Sequence, residues 1–179
     1  MKKMKFVMKS ALVSMFMLAG SASMVQAAGA GQGTVTFEGA IIEAACSIAP
    51  ESVDQTVGLG QVAKSQLEAG GASQPEPFKI RLVGCDTTTL KNVTTTFTGG
   101  SSRDVPGALG IVGTASGAGI MMRDASGTQI VLGTPTAPQI IQDGTNDLQF
   151  GAYLQGSATP DAVKPGEFTA ITNFSLAYQ

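Results

Sequence analysis

The chain of 179 residues contains no histidine and no tryptophan, and only two cysteines and two tyrosines. Each shortage removes a class of chemistry. Without histidine, neither a Ser-His-Asp nor a Cys-His arrangement can be assembled, and the commonest metal ligand is missing. Cys46 and Cys85 do not form a CxxC pair, so a thioredoxin-type redox site and a zinc site both lack support. No GxSxG elbow, Walker loop or HExxH helix occurs. The thirteen acidic residues are scattered, with no aromatic platform beside them on which a sugar could lie. Arg103-Asp104 and Arg123-Asp124 read as solvated loop or turn residues. The expectation is a protein that is not an enzyme, with no cofactor and no metal site.

Basic residues are also few, eleven in all, and four of them (Lys2, Lys3, Lys5 and Lys9) crowd the start. An apolar run follows from Ala11 to Ala19, then small residues and Val25-Gln26-Ala27. A basic start, a short apolar run and small residues before the cut form a secretory signal. Cleavage is expected after Ala27, with Ala30 as the alternative. The run is too short to cross about 30 Å of hydrocarbon as an anchor. Cleavage after Ala27 leaves 152 residues, enough for one domain with one core. Seven basic against thirteen acidic residues then give a charge of −6. An acidic surface argues against nucleic acid or an anionic membrane as a partner, and no direct membrane insertion is expected after cleavage. In the oxidising space beyond the inner membrane, an even pair of cysteines reads as one disulfide, Cys46–Cys85, 39 positions apart. Closing a loop of that length contributes about 4 kcal/mol in the chain-entropy model.

The remaining sequence is rich in Gly, Thr, Ser and Val and has almost no helical periodicity. Short alternating runs separated by Gly, Pro, Asp and Asn predict an all-β sandwich or barrel. Strands are expected near 33–48, 53–59, 77–85, 91–98, 118–123, 128–132, 138–142, 147–155 and 167–178. One or two helical turns are expected at 61–68, a hairpin turn at Asp124-Ala125-Ser126-Gly127, and a long loop at 101–119. Phe78, Ile80 and Leu82 share one strand face, and Cys85 falls on the other. Either the strand ends or bulges near Gly84, or the disulfide lies outside the main core.

Two strands at opposite ends are the informative ones. Gly33, Val35, Phe37, Gly39 and Ile41 form one face of the first, and Thr34, Thr36, Glu38 and Ala40 the other. The last strand carries Phe174, Leu176 and Tyr178 in alternation. Such a strand must be held by neighbours on both edges or leave backbone groups unpaired.

Taken together, these ends resemble those of the pilin family of chaperone–usher fimbriae, closest to type 1-like major subunits. Gly33-Thr34-Val35-Thr36-Phe37-Glu38-Gly39 resembles the family's N-terminal extension. Ala44-Ala45-Cys46 and Cys85 match its disulfide spacing, and residues 52–62 resemble the segment after the first cysteine. Gly166 and Tyr178 occupy the places of its C-terminal glycine and penultimate tyrosine. The resemblance implies an incomplete immunoglobulin-like β-sandwich, completed by donor-strand exchange with a neighbouring subunit. It assigns residues 1–27 to the signal, 28–41 to the donor extension and 42–179 to the domain. Val35, Phe37 and Ile41 would enter pockets of the neighbour. Gly33 would take a shallow position, and Gly39 a place where a side chain would collide with the groove floor. Gly166, Phe174, Leu176 and Tyr178 would belong to the receiving groove and the chaperone-binding strand. The implied partners are copies of itself and related pilins, a periplasmic chaperone and an outer-membrane usher, on the way to a fimbrium at the cell surface. A minor or adaptor subunit and a monomeric secreted β-sandwich binder remain the alternatives.

Overall fold

Alternating β-branched and apolar residues build the longest elements of the protein. In the computed structural model, residues 33–41 and 44–179 are described. The expected signal and its cleavage site therefore lie outside the described residues. The chain divides into two units, Met1–Ala40 and Ile41–Gln179. The strands of the second are β1 (Ser47–Ile48), β2 (Glu76–Cys85), β3 (Asn92–Thr98), β4 (Leu109–Gly110), β5 (Val112–Gly113), β6 (Ala118–Asp124), β7 (Gln139–Ile140), β8 (Gly144–Gly156), β9 (Phe168–Thr169) and β10 (Asn173–Tyr178). A five-stranded sheet has the order β1-β2-β8-β6-β4, a three-stranded sheet the order β10-β3-β7, and β5 pairs with β9. Every ladder between these strands is antiparallel. This is the all-β sandwich the periodicity predicts.

The core lies between the two larger sheets. Ile80 and Leu82 of β2, Leu148, Phe150 and Leu154 of β8, and Val93 and Phe97 of β3 are all buried within it. Four phenylalanines bind the layers. Phe97 of β3 meets Phe150 of β8 edge-on at 5.1 Å and Phe78 of β2 at 6.1 Å, and it lies 6.4 Å from Phe174 of β10. Edge-to-face contacts of this kind add roughly 0.5–1.5 kcal/mol beyond the area they bury.

The disulfide resolves the parity problem at Cys85. The register between β2 and β8 shifts between Leu82 and Cys85, and Gly84 sits at φ 61°, in the left-handed region that costs glycine nothing. The bulge turns Cys85 back to the core side, where it is buried and bonded to Cys46.

Several strand boundaries differ from expectation. The stretch 53–59 is no strand: Pro50 at the first helical position starts a short helix, α1 (Pro50–Val53), and irregular chain follows. Leu59 and Val62 still pack on the core. The helical turns expected at 61–68 form as α2 (Lys64–Leu67), continued by a 3-10 turn. The Asp124 turn is present, with the carboxylate accepting from the Ser126 and Thr128 backbone N–H groups at 2.9 Å each. Beyond it, 128–132 forms no strand; it is held to β6 by an isolated bridge, Arg123 to Gln129, and by the Ile130 N–H donating to the Met122 carbonyl at 2.9 Å. The expected strand at 167–178 is interrupted between β9 and β10. The loop at 101–119 holds β4 and β5 and packs Val105 and Ala108 on the outer side of β6.

Candidate assembly site

β10 lies at the edge of its sheet, with β3 as its one ladder partner among the described residues. The register runs from Asn173 opposite Thr98 to Tyr178 opposite Val93. Just beyond it, Gln179 and Asn92 exchange both backbone hydrogen bonds, at 2.8 and 2.9 Å. Antiparallel pairs alternate between hydrogen-bonded and non-hydrogen-bonded positions. Tyr178, Leu176 and Phe174 therefore occupy the non-hydrogen-bonded positions, and their N–H and C=O groups point away from β3. The opposite side of β3 agrees. The Thr95 N–H donates to the Thr136 hydroxyl at 3.0 Å, and the Thr95 and Phe97 carbonyls accept from Thr136 and Gly133.

The residues whose backbone faces the open edge are also those whose side chains face the core. Phe174, Leu176 and Tyr178 pack on the core cluster but are only half-buried, whereas Val93 and Phe97 beside them are 0% and 1% exposed. Ile48, Leu59, Val62 and Phe78 are further half-buried members of that cluster. Burial pushes the Tyr178 phenol above its usual pKa, so the ring keeps its proton throughout the neutral range.

The extension is the reverse case. Residues 33–41 carry no secondary structure, so the strand expected to begin at 33 does not form within the chain. Val35, Phe37 and Ile41 are 73%, 91% and 105% exposed, the last two as open as in an unfolded peptide. A Cβ placed on Gly33 or Gly39 would meet nothing within 4 Å. The described chain thus gives neither glycine a steric reason. Gly166 differs, because a Cβ there would come within 2.5–2.6 Å of Thr114 and Ala115. Its need for glycine is already met by packing inside its own domain.

Charge plays no part at β10. A charged cluster lies instead on β2 and β8, where Asp147 accepts from Lys79 at 2.7 Å and from Arg81 at 2.9 Å. Those hydrogen bonds, Arg81 first, lower the Asp147 pKa to about 2. The described residues hold no group of three or more metal-ligating side chains. Sequence reasoning named the side chains of β10 but not the half-buried apolar residues Ile48, Leu59 and Val62, which pack on the same core cluster. The apolar residues of 57–62 were the available signal.

A family model described as "Fimbrial protein" matches residues 35–179. The chain is 55% identical over 160 residues to the Fimbria A protein of Serratia marcescens, covering 89% of this chain and 92% of that one. It is 52% identical over 172 residues to the Major MR/P fimbria protein of Proteus mirabilis, covering 96% and 98%. Among solved structures, the P pilus rod subunit PapA aligns with a TM-score of 0.68 at 34% identity, over 76% of this chain and all of that one. A subunit of a chaperone–usher pilus aligns at 0.73 and 36%, over 83% and 96%.

Proposed function

The chain belongs to the fimbrial protein family and is a non-enzymatic structural subunit of a fimbria with an immunoglobulin-like fold, and from that premise we propose that it polymerises by lending residues 33–41 to the open edge of β10 in the next copy. The carrying observation is the coincidence at β10. Among the described residues, the backbone groups without a ladder partner and the half-buried core-facing side chains belong to the same three residues, Phe174, Leu176 and Tyr178. An added strand would satisfy the first and cover the second in one step.

The extension has the matching chemistry. Val35, Phe37 and Ile41 recur at strand spacing and have no cover of their own. Burying each contributes roughly 1.5–3 kcal/mol, and the new ladder adds about 0.5–1.5 kcal/mol per hydrogen bond. Gly33 and Gly39 fall on the same face, Gly33 taking the shallow first position and Gly39 the place where a side chain would collide with the groove floor. Gly166 is assigned to the receiving side with Phe174, Leu176 and Tyr178.

A subunit with an unfinished core needs cover before it meets its neighbour. A periplasmic chaperone would supply that cover and the outer-membrane usher would exchange it for the next extension, delivering the chain through the periplasm to the cell surface. The high identity to a major fimbria protein favours the abundant rod subunit over an adaptor.

Deleting residues 28–40 tests the proposal. The expected result is no polymer, with a one-to-one chaperone complex retained. A deletion variant that still forms fibres would overturn the assignment of the extension. One that stays monomeric and cooperatively folded without chaperone would overturn the unfinished core.

A further inference from the structure

β6 carries the two adjacent methionines of the domain, Met121 and Met122, which are 5% and 4% exposed. Strand alternation sends them to opposite faces. Met122 joins the main core, and Met121 joins a separate cluster with Val105, Ala108 and the half-buried Tyr153. That second cluster exists because residues 101–117 fold back over the outer face of the five-stranded sheet. The Ser102 hydroxyl accepts from the Val105 N–H at 3.1 Å, the Ser102 N–H donates to the Ala108 carbonyl at 2.8 Å, and Asp104 accepts from the Gly117 N–H at 3.2 Å. β4, inside the same segment, pairs with β6 itself.

We infer that this strap is an oxidation shield: it seals Met121 so that the assembled fibre presents no side chain that a small oxygen-transferring oxidant can reach. The other six methionines lie at positions 1, 4, 8, 15, 17 and 24, all within the expected signal. Both cysteines are in the disulfide, none is free, and histidine and tryptophan are absent from the sequence. Once residues 1–27 are removed, thioether chemistry is confined to two sulfurs, and both are covered. The inference rests on that removal and on the fimbrial setting, but not on the open edge of β10.

The guarded reaction is simple. A thioether lone pair attacks one oxygen of hydrogen peroxide and the O–O bond breaks. Sulfur gains the oxygen and loses two electrons, which reduce the peroxide, and the proton of the transferred oxygen passes to the displaced hydroxide, which leaves as water. The sulfoxide is polar and chiral, and against the apolar side chains of Val105 and Ala108 it gives up hydrogen bonds it makes with water. Met121 oxidation would therefore hold the strap open, whereas Met122 oxidation requires opening of the main core.

The test uses assembled wild-type fibres treated with hydrogen peroxide, then digested and read by mass spectrometry for sulfoxide at each methionine. Both sulfurs should react at least about tenfold more slowly than in the same protein unfolded in denaturant, since reaction must wait for local opening. Less protection at either sulfur overturns the inference. Asp104→Ala removes the bond to Gly117 and Val105→Asp disrupts the apolar seal. Each should accelerate Met121 while leaving Met122 protected, and one of the two suffices if the other fails to assemble. Equal acceleration at both sulfurs, or at neither, shows that the strap is not the shield. Fibre assembly is scored separately, so failure of donor-strand pairing cannot be mistaken for either result.

Discussion

Replacing Phe37 with alanine separates assembly from folding. Phe37 is 91% exposed in the single chain, so its removal costs the subunit almost nothing, within the roughly ±0.5 kcal/mol of an ordinary surface change. If the ring enters a pocket of the neighbour, the loss includes its transfer energy and the cavity left behind, about 3–4 kcal/mol. At about 1.4 kcal/mol per factor of ten, the joint should dissociate roughly 10²–10³ times faster. Thr36→Ala, one residue away on the other face, is the control. Fibres of the variant and control would be incubated in rising denaturant and the surviving polymer measured by electrophoresis without boiling. Phe37→Ala fibres should fall apart at distinctly lower denaturant, with chaperone-complex yield unchanged. Equal losses from the two substitutions, or none from Phe37→Ala, would refute pocket insertion.

Gly39→Leu should abolish polymerisation while leaving the chaperone complex intact, and wild-type fibre yield would reject the groove-floor role. Thr95 is fully buried and its hydroxyl has no hydrogen-bond partner among the described residues. Thr95→Val should accordingly raise the urea midpoint of assembled fibres by the equivalent of about 1 kcal/mol per subunit, and a lowered midpoint would contradict it. The Asp147 carboxyl sits at about 2 in the fold, below the roughly 3.9 of an unfolded aspartate. Its pairing with Arg81 and Lys79 therefore stabilises the fold fully above about pH 4 and is lost as pH falls toward 2. Asp147→Asn should lower the thermal midpoint at neutral pH and match the wild type near pH 2. A gap that persists in acid would mean the residue acts through something other than its charge.

Much of the sandwich was legible because β2, β3 and β8 largely follow a simple period and β6 is a short apolar run. β2, β3, β6 and β8 begin and end within a few residues of expectation, and Gly84 was one of the stated routes for bringing Cys85 inward. The misreadings share a cause: local apolar content says that a segment touches the core without saying in what conformation. Val53, Val57 and Leu59 suggested a strand, but Pro50 starts a helical turn and the rest packs as irregular chain. The outer cover of β6 was invisible, because residues 118–122 read as one apolar run that does not name what lies on each side. The edge position of β10 is a property of sheet order, which the alternation of Phe174, Leu176 and Tyr178 cannot encode. Resemblance supplied their assignment, and the register shows which backbone groups of β10 face away from β3.

The bond between Cys46 and Cys85 has a mechanical consequence. If a fibre assembled as proposed is pulled, tension would reach each subunit through residues 33–41 and meet a covalent staple only a few positions later. The staple hands the load to β2, a strand laddered to β1 and β8 on its two sides. On that proposal the weakest link under force would lie in the seam between molecules.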